Sequence, residues 1–214
     1  MSDDDAPRDL RTRRRDDTRY EIHCAAMDLF EEQGVRETTV AQIADRVGIS
    51  SRTFFRYFTS KEQAALPGQR RLLEMIENLE LTASVPAEIL DAIARATEKV
   101  VGRDTDPELH EHRRVARLLT VHPELQALAA AQEKTLVDRL RARLAEQAGH
   151  LDATTVRLLA ELAVTVWRTS WDRWGELVLA GHDRDPVEVY RECRKALRQI
   201  ITDGAGTNSA GTPR

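Results

Sequence analysis

The chain has little that suits it to a membrane or an oxidising compartment. No apolar run reaches the roughly 18 residues that a spanning helix needs, and no apolar core follows the charges at the N-terminus. Neither a membrane partner nor a secretion signal is therefore expected. The two cysteines, Cys24 and Cys193, lie too far apart to suggest a disulfide framework, which makes the cytoplasm the default location. Lysine is scarce, with four (61, 99, 134 and 195) among 32 basic residues, a bias that hints at a GC-rich bacterial genome. A catalytic set is missing as well: Glu108, Glu111 and Asp172 have no recognisable nucleophile or acid-base partner. His110 and His112 fall on different sides of a helix, so no metal and no cofactor is expected. A helical enzyme would need a constellation within residues 85–203, and none is evident. Repeats of 20 to 50 residues are absent too, which argues against a solenoid.

What is present reads as helix throughout, so the expected class is all-α. Residues 1–17 are polar and are expected to be disordered. Arg8, Arg11, Arg13, Arg14 and Arg15 make them a basic arm, either a solvated tail or a reach toward the minor groove or nearby phosphates. Helices are predicted over about 18–33, 40–47 and 51–58, with a fourth starting near Lys61 and broken or kinked at Pro67-Gly68 before Leu72, Leu73, Ile76 and Leu79. Pro86, Asp106-Pro107 and Pro123 open three more, the last ending near Gly149. Asp152 caps an eighth helix to about Ala180, and Asp185-Pro186 starts a ninth that ends near Asp203-Gly204. The resulting domains are 18–65 and 66–203, with a disordered tail over 204–214.

Residues 38–61, TTVAQIADRVGISSRTFFRYFTSK, are the most informative stretch. Thr39 and Gln42 fit a capping box, and Val40, Ile43, Ala44 and Val47 recur at helical spacing. Gly48 suits a left-handed helix end, and Ser50 can cap the next helix. In that helix Phe54 and Phe58 should bury against Ile43 and Val47. Ser51, Arg52, Thr53, Phe55, Arg56 and Tyr57 then face outward. From Arg46 to Lys61 there are four basic residues and no acidic one, in a chain of net charge −4. Such a strip suits a polyanion. Ser60 and Gln63 form a further capping box, which places Lys61 and free helix amides where a phosphate can sit. A plain capped hairpin in a helical core would show the caps and periodicity without that outward set.

Residues 19–62 resemble the DNA-binding domain of the tetracycline-repressor (TetR) family. Ile22, Ala25, Ala26, Leu29, Phe30 and Gly34 match its first helix, and Thr38 and Thr39 its paired threonines. Ile43, Ala44, Gly48 and Ser50 match the second helix and turn. Thr53-Phe54-Phe55-Arg56-Tyr57-Phe58 with Ser60-Lys61-Glu62 matches its T-F-Y-x-x-F-x-S-K-E segment. Phe55 departs from the family's usual tyrosine, so one phosphate-binding hydroxyl is missing while Tyr57 keeps another. The resemblance covers about a fifth of the chain. It implies an N-terminal three-helix reading head, a C-terminal helical ligand-binding and dimerisation domain, and about nine helices. It also implies that the fourth helix connects head and body. The wording around Arg52 is similar to a subgroup near the mycofactocin-system regulators, which implies an acyl-CoA-type effector.

The eighth predicted helix, apolar nearly all round from Leu158 to Trp167, must be covered on two sides. Together with Val187, Val189, Tyr190, Cys193, Leu197 and Ile200 of the ninth it is expected to form a homodimer interface. Trp167, Trp171 and Trp174 share one face and suit either a ligand cavity or packing. Arg113, Arg114 and Arg117 suit an anionic ligand head or a solvated face. The expected function is thus a dimeric, ligand-responsive regulator, most simply a repressor, on a palindromic double-stranded operator. Base contacts are expected from Ser51 and Arg52 with Thr53 close by, and Phe55 is expected at a thymine methyl or sugar. Arg56 is expected at a base or phosphate, and Thr39, Tyr57 and Lys61 at phosphates. The alternative is a DNA-binding regulator or architectural protein without a small-molecule ligand.

Overall fold

The computed structural model describes residues 6–66, 70–101 and 109–206, with side chains over 13–66, 70–101 and 111–202. Ten helices and no strand occur among the described residues. They are α1 (Ala6–Gln33), α2 (Val40–Val47), α3 (Ser51–Phe54), α4 (Lys61–Ala65), α5 (Arg70–Glu77), α6 (Pro86–Val101), α7 (Leu109–Val121), α8 (Pro123–Gln147), α9 (Ala153–Leu179) and α10 (Pro186–Gly206). The tenth arises because α4 and α5 are separate helices, not one kinked helix. Pro67-Gly68, Asp106-Pro107 and the His110 side chain lie outside the described residues.

Both ends differ from expectation. α1 begins at Ala6, so residues 6–17 are helical and not a disordered arm. The physical reason is local. Pro7 stands in the first turn, where a missing N–H costs nothing. No glycine follows before Tyr20, and the pairs Asp9/Arg13, Arg13/Asp17 and Arg14/Asp17 stand at helix-supporting spacing in the sequence. At the other end α10 runs on through residues 204–206, which were expected to belong to a loose tail, while 207–214 lie outside the described residues.

The chain divides into two compact units. The first holds α1 to α4, α7 and the opening turns of α8 through Ala130. Its reading-head core joins Ile22, Ala25, Ala26 and Leu29 of α1 to Ile43, Ala44, Phe54, Phe58 and Ala64. A second cluster packs Met27, Phe30 and Val35 with Leu66, Val115, Leu118 and Leu125. An ionic hub fastens α7 to α1. The Arg114 guanidinium donates to Asp28 Oδ1 at 2.7 Å, to Glu31 at 2.9 Å and to both oxygens of Glu111 at 3.1 Å. Arg114 and Glu111 are themselves buried. A buried charge is tolerable only when paired this fully, so this arginine is structural.

The second unit holds α5, α6, α8 from Ala131 onward, α9 and α10. Leu136, Leu140 and Leu144 of α8, with Ala148 just beyond it, pack with Val156, Leu159, Ala160 and Val164 of α9 and with Ile89 and Ile93 of α6. α10 lies on α9 and α6. Arg194 and Arg198 of α10 pair with Asp91, and Arg191 and Arg194 with Glu98, both acids on α6. Asp91 is held below the usual carboxylate range by those arginines, Arg198 first.

His23 sits beside the hub, 2% exposed. Its Nδ1–H donates to the Ala64 carbonyl at 2.8 Å, which leaves Nε2 unprotonated, 3.7 Å from Glu111. Burial pushes the imidazole below its usual value near 6.5, and the Ala64 bond and Glu111 only partly oppose this. As pH falls through about 6.5, the unfolded chain takes up a proton that the folded ring refuses. The stability contributed by the neutral ring is therefore present above that pH and lost on acidification. Urea midpoints should fall between about pH 7.5 and about 5.5, and less so in His23→Asn, whose amide can still donate to Ala64. Parallel falls in both proteins would mean that the folded ring takes up its proton as readily as the unfolded one.

Candidate nucleic-acid interface

The reading head is assembled by short-range capping. Thr39 caps α2 with the full reciprocal box: its hydroxyl accepts from the Gln42 amide at 3.2 Å, and Gln42 Oε1 accepts from the Thr39 amide at 2.8 Å. Gly48 ends α2 with φ of 75°, in the left-handed region that only glycine enters without strain. The Ile49 amide then bonds Ala44 O at 2.9 Å. Ser50 Oγ caps α3 by accepting from the Thr53 amide at 3.1 Å. α3 ends at Phe54, four residues short of the expected Phe58. Residues 55–57 continue as tight turns, with Arg56 N donating to Thr53 O and Tyr57 N to Phe54 O. At α4 only half of the second box forms, because Gln63 reaches the Thr59 amide and not that of Ser60.

Burial sorts the side chains of this segment. Phe54 and Phe58 are 0% and 1% exposed, with ring centroids 5.9 Å apart. Thr39, Ser51, Arg52, Phe55 and Arg56 are exposed, and Thr53 and Tyr57 are half-buried. Phe55 stands 56% exposed, edge-on to Phe54, an unusual posture for a large apolar ring. Among the described residues Arg52 and Arg56 form no ion pair. Seven of the eight expected contacts thus share one segment or, for Thr39, the preceding cap.

Lys61 departs from expectation. Its ammonium donates to Val35 O at 2.6 Å, Thr38 O at 2.7 Å and Arg36 O at 3.2 Å. All three N–H bonds are occupied in tying down the loop between α1 and α2, the arrangement of a loop clamp. Arg46 is also diverted, since both its terminal nitrogens donate to Glu32 at 2.8 Å. Of the four cations in the strip, Arg52 and Arg56 remain for a partner.

One contributor was not read from the sequence. Arg19 of α1 donates to Tyr57 O at 3.1 Å and lies 4.3 Å from the centroid of the Phe58 ring. A cation at this carbonyl closes the end of the turn. No local signal marks Arg19, because its partners lie 38 and 39 residues on.

The candidate ligand residues fall in different units. Arg113 is half-buried and Arg117 exposed, both on α7 of the first unit, whereas Arg114 belongs to the hub. Trp167, Trp171 and Trp174 lie in the second unit as a stacked and tilted series with centroids 6.5 and 5.2 Å apart. Trp174 is 1% exposed and its Nε1–H donates to Arg184 O at 2.9 Å, which makes it core. A cleft of about 30 Å³ between α6, α9 and α10 is lined by Leu90, Asp91, Ala163, Tyr190, Arg194 and Leu197, none of them a predicted ligand residue. It has room for a water and little more.

Two short helices set by Thr39, Gly48 and Ser50, with Arg52 and Arg56 outward and in no ion pair among the described residues, define a helix-turn-helix DNA-binding domain of the kind that regulates transcription. Residues 22–64 match the family model described as bacterial regulatory proteins, tetR family. The HTH-type transcriptional regulator TcmR of Streptomyces glaucescens is 33% identical over 145 residues, 65% of this chain and 64% of that protein. The putative mycofactocin biosynthesis transcriptional regulator MftR of Mycobacterium tuberculosis is 31% identical over 115 residues, 54% and 58% of the two chains. The chain therefore spans less than two thirds of the length of either curated relative. The fold is shared with the transcriptional regulator FadR of Bacillus subtilis, solved in complex with stearoyl-CoA, at a TM-score of 0.51 and 22% identity over 83% of this chain and 96% of that one. Among the described residues no helix is long and apolar enough to cross a membrane.

If Lys61 is a clamp, Lys61→Met should lower stability by about 1–3 kcal/mol, the scale of hydrogen bonds to a charged group. The salt slope of DNA binding should stay unchanged. A slope reduced by about one, with stability intact, would restore Lys61 to the phosphate contacts.

Proposed function

We propose that this chain represses transcription as a homodimer on a palindromic operator and is released by a small molecule. The observation that carries the reading is the split within eight residues: two phenyl rings sealed inward, and Ser51, Arg52, Phe55 and Arg56 exposed with no ion pair to either arginine among the described residues. Arg52 and Ser51 meet base edges, with Thr53 beside them, and Phe55 meets a thymine methyl or a sugar. Tyr57, Thr39 and the amide end of α2 hold phosphates, and Arg56 adds a further phosphate or base contact.

Dimer formation is supported by apolar side chains left exposed on α9 and α10. Leu158, Leu179, Ile200 and Ile201 are 48% to 70% exposed. A second copy would cover them and present two reading heads at a spacing that suits a palindrome. The effector is proposed to be acyl-CoA-like, because FadR, which shares the fold, is described with stearoyl-CoA. Trp167 and Trp171 of the second unit would meet its apolar part. Release then follows from population shift, with the effector favouring a head spacing that no longer fits the operator. A differential affinity of a few kcal/mol between the two states suffices.

A second reading, DNA binding without an effector, is favoured by the tight packing around Trp174 and by the small size of the α6–α9–α10 cleft. Screening metabolites for release of the bound duplex separates the two.

For DNA reading itself, Arg52→Ala should cost roughly 1–3 kcal/mol of operator binding and relax preference at one base position. Binding-site selection from random duplexes measures both. An unaltered preference would take Arg52 out of base reading.

A further inference from the structure

We infer that the N-terminal part of α1 is a second DNA-contacting element, a helical extension whose Arg14 and Arg15 lie against the phosphates flanking the bases read by α3. The inference rests on the DNA-binding reading above and adds a surface to it. α1 is helical from Ala6, well ahead of the core position Ile22, so the residues preceding the head are held in a defined direction. That direction is set where Arg19 bonds the Tyr57 carbonyl and covers the Phe58 ring, at the end of the reading turn.

Arg15 precedes Arg19 by four residues and so falls on the same helix face, about 6 Å further along the axis. Arg14 follows about 1.5 Å beyond, on an adjoining flank. Both are exposed and neither forms an ion pair among the described residues. The acids nearest in sequence are Asp16, half-buried, and Asp17, which lies three residues from Arg14 on its flank of the helix and away from Arg15 and Arg19, and which forms no ion pair with Arg14 among the described residues. Thr18 Oγ1 donates to the Arg14 carbonyl and does not engage its guanidinium.

The occupant follows from charge and position. A duplex seated on Arg52 and Phe55 carries a phosphate roughly every 3.4 Å along each strand, so its backbone passes within a helical turn or two of the α3 end. Two unpaired guanidinium groups held there, in a chain of net charge −4, suit that backbone more than a neutral or cationic partner. Contacts of this kind add affinity without reading sequence.

The test uses the full chain and a duplex selected from random DNA, titrated at several salt concentrations, with Arg14→Gln/Arg15→Gln beside wild type and Arg52→Ala. The double variant, exposed at both positions, should keep wild-type helicity. It should bind more weakly to every duplex with unchanged base preference, and its salt slope should shrink by about two per bound chain, near 0.9 for each phosphate lost. Trimming the duplex to the bases that α3 reads should abolish its difference from wild type. An unchanged slope, in a wild type whose base preference Arg52→Ala relaxes, would overturn the extension alone. A wild type that selects no sequence at all would overturn the reading of the head and the extension with it.

Discussion

Burial of Phe54 and Phe58 decides what the rest of the first unit can do. The two rings fill the space between α1 and α2 and are almost wholly removed from water. Each sealed ring contributes on the order of 1.5–3 kcal/mol of apolar transfer energy. Because they stand four residues apart in a segment wound as helix and tight turn, Phe55 and Arg56 between them are forced outward, while Tyr57 stays half-buried against the core. Arg52, Phe55 and Arg56 are exposed as a consequence of the anchor, and their own polarity only makes that exposure tolerable.

The remaining polar chemistry of the first unit holds this anchor in place. Arg19 closes the carbonyl end of the turn, and Lys61 ties the loop that feeds α2. Arg46 is fixed to Glu32, and Arg114 ties α7 onto Asp28 and Glu31 of α1. Each of these cations is geometrically satisfied by the protein. The cationic character left for a polyanion is therefore concentrated on few guanidinium groups, which sharpens where a duplex can sit. In the second unit the same economy operates between α6 and α10, where Asp91 and Glu98 absorb the charge of Arg191, Arg194 and Arg198.

Much of the head was legible in the sequence because its determinants act over three or four residues. The caps at Thr39, Ser50 and Asp152, the turn at Gly48 and the inward pair Phe54 and Phe58 all stand where the spacing put them. What escaped depends on distance along the chain. Lys61 reads as a free first-turn cation until the carbonyls of residues 35–38 close round it, and Arg46 reads as part of a positive strip until Glu32 arrives from α1. Residues 6–17 misled for another reason, since mixed charges lower hydrophobicity and so resemble a loose tail while also supporting a helix. The tryptophan stripe was ambiguous in principle: i, i+4, i+7 spacing serves a cavity wall or a core equally. Trp174, bonded to Arg184 O, belongs to the core.

Amide hydrogen exchange of the full chain, free and bound to a duplex selected from random DNA, tests the central claim most directly. Slowed exchange concentrated at the start of α2 and over residues 50–58, with the cores of α8 and α9 unchanged, is the result this account predicts. Protection confined to α9 and α10, with the α3 segment exchanging as in the free protein, would contradict it.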